Sequence, residues 1–278
     1  MVTKKFSNND YGKKIGAKSS KGHCFKCGTE VGRTGMETHL IKERKKFGSD
    51  EKCTILEITG RTAKGQWMFI EALADSMLSD LDTFMRVAWM ECCGHESRFV
   101  EGTDDPLNMS EMKKSSVISE FPDNFVMTYI YDLDAAPSAA EIRVVCSSSR
   151  EKCKGVIRVL ARNDPIRPLC ELCGADADFV LRKAAEDEDG FIAWSGAEDD
   201  DGFVVWGDAD EETVAALCRK CSGKHGNEDN YAPFANSPRM GLCGYTGALD
   251  VYGYVPGAAM PVQAKAKKNC IAWLREKD

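Results

Sequence analysis

Two short stretches, CELC at 170–173 and CRKC at 218–221, decide the architecture. Each sets two thiols two residues apart, the spacing that turns both sulfurs of a knuckle toward one tetrahedral ion. Cys170, Cys173, Cys218 and Cys221 therefore form a four-thiolate set of the zinc-ribbon kind. One structural zinc is expected there, with no coordination position left open for chemistry. His225, four residues past Cys221, is a spare donor. A third knuckle, Cys24-Phe25-Lys26-Cys27, is followed by His39 and Cys53, which predicts a second, separate zinc site near the amino terminus.

Between the paired knuckles lies a twelve-residue repeat, EDEDGFIAWSGA (186–197) and EDDDGFVVWGDA (198–209). Acidic residues before glycine resemble a calcium loop, but Ala185 and Ala197 stand at the first ligand position, so a solvated acidic β-meander inserted in the ribbon is the better reading. Upstream, Thr54–Thr59 and Gln66–Glu71 read as strands, followed by a helix over Asp80–Cys92. Leu81, Phe84, Met85, Ala88, Trp89 and Cys92 form its apolar stripe, Ser79 is its candidate cap and Gly94 its stop. Further strands are expected at 96–101, 125–133 and 139–146, with an irregular polar insertion at 102–124.

The predicted fold is α+β: a small mixed sheet with one packed amphipathic helix, flanked by an N-terminal zinc finger and a C-terminal four-cysteine ribbon carrying the meander. The expected divisions are a flexible basic tail (1–22), a finger-like module (23–52), an α+β domain (53–160), the ribbon with its acidic insertion (161–247) and a C-terminal segment (248–278). A docking helix with Ala266, Cys270, Trp273 and Leu274 inward is expected in that last segment.

The chain has 278 residues, 43% of them hydrophobic, enough to bury a core. Its 13 cysteines could suggest a disulfide scaffold, but the count is odd, the CxxC pairs have metal spacing and no secretory signal precedes them. A reduced, cytoplasmic protein without a membrane span is expected. The net charge of −7 hides an asymmetry: residues 1–52 carry 13 Lys/Arg against 6 Asp/Glu, and the remainder 24 against 38. A basic arm on an acidic body suits DNA or RNA contact through the arm alone. A helix over Thr34–Lys46 would carry His39 and present Lys42, Arg44, Lys45 and Lys46 to phosphates.

The strings LDTFMRVAWMECCGHESRF (81–99), LARND (160–164), the CELC and CRKC knuckles and NSPRMGLCGYTG (236–247) together resemble the plasmid pRi ORF-three-like family, also described as mobile-element passenger proteins. The resemblance spans about residues 53–247. It implies a compact α+β fold backed by a zinc ribbon and an association with plasmids, mobile elements and genomic islands, with no established reaction. Family members of this kind often begin with a CxxC finger whose last ligand follows the histidine by four residues. Glu43 stands there in this chain, so Cys53 is the preferred fourth ligand, with Glu43 and His23 as alternatives. The chain also departs from the family at YDLDAAPSA (131–139), where a more glycine-like segment is usual.

Cys92, Cys93 and His95 invite a nucleophile or metal reading. They fall at the carboxyl end of the predicted helix, where the dipole disfavours a thiolate, so core packing for Cys92 and a capping or hydrogen-bonding role for His95 are preferred. Cys243 lies in a glycine turn, where it could support the ribbon or line a binding surface. Cys146 and Cys153 bracket a polar loop. No phosphate-binding glycine loop, HExxH or GxSxG occurs. The leading expectation is a zinc-dependent, non-enzymatic binding protein contacting nucleic acid. A protein–protein adaptor using the acidic repeat comes second, and an enzyme centred on Cys92, Cys93 and His95 third.

Overall fold

The computed structural model describes residues 20–44, 51–61, 65–102, 110–133, 137–150, 155–181, 216–225, 231–243, 245 and 272–273. Strands β1 (Lys21–Cys24) and β2 (Glu30–Gly32) lead into helix α1 (Arg33–Arg44). The long hairpin β3 (Glu51–Gly60) and β4 (Trp67–Leu73) follows, then helix α2 (Leu78–Met85), which runs into a single π-turn at Arg86–Met90. Next come β5 (Ser97–Glu101), β6 (Val126–Tyr131), β7 (Ser138–Arg150) and β8 (Ile157–Asn163). The ribbon supplies β9 (Phe179–Leu181), β10 (Ala216–Leu217), helix α3 (Arg219–His225) and β11 (Tyr231–Pro233), and β12 is Ala272–Trp273.

These elements make the expected mixed architecture of sheet with few helices, but the main sheet is larger than the sequence suggests. Its order is β2-β1-β8-β4-β3-β7-β6-β5, with β12 also on β8, and every pairing is antiparallel. Strands β10, β9 and β11 form a second, small sheet. Strand β1 of the finger is hydrogen-bonded directly to β8. The two described residues of the C-terminal segment, Ala272–Trp273, also pair with β8, as strand and not as helix. The acidic repeat lies outside the described residues.

Strand β3 is almost continuously buried because the sheet is covered on both faces. On one face Leu56, Ile58, Met68, Ile70 and Ala72 pack under α2 and the π-turn, which contribute Leu78, Leu81, Phe84, Met85, Ala88, Trp89 and Met90. On the other, Ile55, Trp67 and Phe69 pack with Met36 and Leu40 of α1. Arg143 fixes that helix by bridging Glu57 of β3 (2.6 Å) and Glu37 of α1 (2.6 Å).

Helix α2 begins two residues earlier than its sequence signals indicate. Its cap is the contact from the Met77 backbone N–H to Asp80 Oδ2 (2.9 Å), not Ser79. Asp82 instead turns inward. It accepts from Ser97 Oγ (2.6 Å), Tyr129 OH (2.8 Å) and Lys114 Nζ (3.0 Å). Burial opposes its charge, but those three donors hold its carboxyl below the usual range. A depressed folded-state pKa contributes stability above the unfolded value, near 3.9, that is lost as pH falls through the folded value. The difference in Tm between the wild type and Asp82→Asn is therefore expected to be full at neutral pH and to shrink below about pH 4.

Gly22 of β1 shows how closely the finger strand lies on the body. A Cβ there would collide with Arg162 O and lie 2.6 Å from the Trp67 ring, whereas one on Gly32 meets nothing within 4 Å. Gly22→Ala is expected to destabilise by about 1–3 kcal/mol through overpacking, and Gly32→Ala to be near neutral, in denaturant unfolding.

Candidate metal centres

Among the described residues, three groups of Cys and His bring their donor atoms within 4.8 Å of one another: Cys170/Cys173/Cys218/Cys221, Cys24/Cys27/His39 and Cys92/Cys93/His95/Cys243. Each could hold a metal ion.

In the ribbon, the first knuckle is a tight turn in which Gly174, at φ 73°, donates its N–H to Cys170 O (2.8 Å). The second knuckle opens α3, with the N–H groups of Cys221 (3.0 Å) and Ser222 (2.9 Å) both on Cys218 O. Glu171 N–H to Ala216 O (3.1 Å) holds the knuckles together, leaving Cys173 Sγ 3.6 Å from Cys218 Sγ. Burial works against a Cys170 thiolate, yet backbone N–H groups of Cys218, Leu172 and Cys173 lower that thiol to about 6. Cys221 is pushed up to about 12, first by Cys218, then by burial and the remaining thiols. A metal ion binds cysteine as the thiolate, so its charge would offset the mutual repulsion of sulfurs held this close.

The finger is built on one turn and one helix. Gly28 N–H closes on Cys24 O (2.8 Å), and α1 brings His39 Nε2 to 3.3 Å from Cys27 Sγ. Cys24 is raised by burial, whereas hydrogen bonds from Thr29 outweigh burial and lower Cys27. Cys53, the fourth ligand expected from sequence, is not part of the group. It sits buried in β3 opposite Leu73, with its Sγ 4.0 Å from Glu71 Oε2, because the strand carries it away from the turn. His23 precedes Cys24 on a strand and so faces the opposite way. Its ring meets Asp164 (2.6 Å) and Glu30 (3.7 Å). Glu43, one helical turn past His39, is near enough for its charge to act on the Cys27 thiol, but it too lies outside the group.

The third group was not assembled by sequence reading. Cys92, Cys93 and His95 follow the π-turn, and a chain segment 150 residues downstream lays Cys243 against them. Cys93 Sγ lies 3.7 Å from Cys92 Sγ, 3.5 Å from Cys243 Sγ and 2.8 Å from His95 Nε2. His95 Nδ1 faces Asp132 Oδ1 at 3.3 Å. Two cues in the sequence pointed here, the CCGH run and a cysteine in a glycine turn, but no local spacing links them. Cys93, His95 and Asp132 are aligned as a nucleophile, base and orienting carboxylate would be. Against that reading, Cys243, burial and Cys92 push the Cys93 thiol up to about 12, the reverse of an activated nucleophile.

Of the basic residues expected to touch phosphates, Lys42 is exposed on α1. Arg44 ends the helix, and Lys45 and Lys46 lie outside the described residues. His225 ends α3, and Cys153 lies outside the described residues. Among the described residues no helix is long and apolar enough to cross a membrane.

Fold and sites thus define a mixed α/β protein with cysteine-rich centres able to hold metal. No family model matches the chain, and no curated protein matches it. Among solved structures it is similar to a protein of unknown function, MM3350, from Methanosarcina mazei Go1. That likeness has 16% identity and a TM-score of 0.35, over 45% of this chain and 75% of the other.

Elemental analysis of the purified chain should separate ligands from bystanders. Cys173→Ser is expected to lower metal content by about one equivalent, and Cys53→Ala to leave it unchanged.

Proposed function

We propose that this chain is a zinc-dependent, non-enzymatic binding protein that contacts nucleic acid through its N-terminal finger and basic arm. The observation that carries the zinc assignment is the ribbon quartet, four sulfurs within ligand distance of one another. A donor set of four cysteines suits tetrahedral zinc and leaves no position for a substrate. The finger's part is supported by the seating of α1. Met36 and Leu40 face the core while Lys42 is exposed, so the helix offers a solvent face, and the sequence supplies Arg44, Lys45 and Lys46 at and directly after its end. With 13 Lys/Arg against 6 Asp/Glu in residues 1–52, this end of an acidic protein is the one that attracts phosphates. The resemblance to plasmid pRi ORF-three-like proteins supports a role in the biology of mobile elements.

A second reading, a protein–protein adaptor, draws on Leu169 and Leu172. These large apolar side chains stand about half exposed (51% and 48%) on and beside the ribbon's first knuckle.

Fluorescence anisotropy of the zinc-loaded full chain on duplex DNA, single-stranded RNA and structured RNA across a salt series tests the first reading. On duplex DNA, log affinity should fall with log salt at about −0.9 per phosphate neutralised. Charge reversal at Lys42, Arg44, Lys45 and Lys46 is expected to flatten that slope by several units. Absence of binding at low salt on all three probes would favour the adaptor.

A further inference from the structure

We propose that Cys92, Cys93, His95 and Cys243 form a third zinc site, a closed shell of three thiolates and one imidazole whose orientation is set by Asp132 and Arg239.

The donor spacing is the first argument. Zn–S bonds of about 2.3 Å and Zn–N bonds of about 2.0–2.1 Å give a tetrahedron with S···S edges of roughly 3.8 Å and S···N edges of roughly 3.5 Å. Three of the edges observed are Cys92–Cys93 at 3.7 Å, Cys93–Cys243 at 3.5 Å and His95 Nε2–Cys243 at 3.5 Å. The Cys93–His95 contact, at 2.8 Å, has only to open slightly to admit the ion. A catalytic cysteine needs one thiol beside its base. Three thiols around one imidazole nitrogen are a ligand set, and this soft donor mixture is one that suits zinc.

The surroundings are those of a ligand-orienting shell. A proton on His95 Nδ1 directed at Asp132 leaves the Nε2 lone pair toward the sulfurs, the histidine–carboxylate arrangement common behind metal sites. Asp132 is itself held by the buried Arg239, whose Nη2 also lies 3.4 Å from Cys92 Sγ. Zinc with three thiolates carries one net negative charge and Asp132 adds another, of which the guanidinium, in contact with both groups, offsets one. The loop between ligands is fixed too: Tyr131 OH accepts from the His95 backbone N–H (3.2 Å) and donates to Glu91 (2.9 Å).

Backbone conformation points the same way. Among the described residues only Asn124, Asp132 and Cys243 are non-glycine residues at positive φ, and two of these three belong to this site. Cysteine has no side-chain reason to favour that region. Such conformations persist where the surrounding structure enforces them, commonly at functional sites.

Cys93 and Cys243 are exposed, which makes the test direct. The zinc-loaded full chain is pulsed with N-ethylmaleimide, with or without chelator, and modification is read by peptide mass. Both thiols are expected to react at least about ten-fold more slowly before chelation than after it, because a metal-bound thiolate is not a free nucleophile. Equal rates would overturn the proposal, and so would protection relieved by reductant alone, which would mean a disulfide. A His95→Ala chain, which keeps the ribbon quartet, is expected to react equally fast with and without chelator; thiols that still sped up on chelation would point to unfolding of another centre and overturn the proposal. Asp132→Asn should weaken chelator-competed zinc affinity at this site by about 10–100-fold while leaving the ribbon ion unaffected, and far more than Ser138→Ala, which loosens the same Arg239 anchor without touching His95. Unchanged affinity would refute the orienting role. The readouts are residue-resolved and stand whether or not the chain binds nucleic acid.

Discussion

Arg239 has no solvent exposure, and its guanidinium meets three parts of the chain at once. It pairs with Asp132 beyond the end of β6 and lies over the adjacent Tyr131 ring at 5.1 Å, donates to Ser138 Oγ at the start of β7 (3.2 Å), and reaches Cys92 Sγ after the π-turn (3.4 Å). A buried charge is tolerated only where its partners replace water, and removing one partner of such a pair costs about 3–5 kcal/mol. The pair therefore specifies where the segment after β11 must lie. Around it the same segment docks through further hydrogen bonds, one of them from the buried Arg162 guanidinium to Asn236 O. Ser237 Oγ donates to Trp89 O (2.5 Å), Asn163 Nδ2 to Asn236 Oδ1 (3.2 Å) and Asn236 Nδ2 to Asn163 O (3.1 Å). The carbonyl at Trp89 belongs to the π-turn, so the irregular end of the helix and the docking of a distant segment are one feature.

This explains why some of the molecule was readable from sequence and some was not. The ribbon knuckles were legible because each depends on two residues between thiols, a rule that needs no tertiary information. Strands β3, β4, β6 and β7 were legible from their β-branched and aromatic runs, though β7 runs on to Arg150, past the expected end at 146, where it continues to pair with β3. The start of α2 was misplaced because Asp80 and Asp82 both sit near Ser79, and only the fold shows that Asp82 faces inward. Cys53 looked like a ligand because it is near His39 in sequence, a nearness that a ten-residue strand abolishes. Cys243 could not be tied to Cys92 and Cys93 at all, since no periodicity spans 150 residues.

The finger shows a related constraint. In sequence it reads as a module with its own metal, yet β1 is hydrogen-bonded along β8, and the Phe25 backbone N–H reaches Leu160 O (2.8 Å), the residue skipped at the register shift between β8 and β4. Helix α1 covers one face of the main sheet with Met36 and Leu40. Metal binding at the knuckle and burial of that face are therefore linked, and the orientation of the helix toward a partner is inherited from the sheet.

The separation of Cys243 from its neighbours also has a temporal side. Ribosomal synthesis proceeds at about 5–20 residues per second, so the adjacent thiols Cys92 and Cys93 emerge roughly 8–30 seconds before Cys243 and Arg239 can reach them. For that interval a nascent chain carries a vicinal dithiol beside an imidazole with nothing to cover it. The order of synthesis thus makes this corner of the protein late to mature and, until then, open to oxidation.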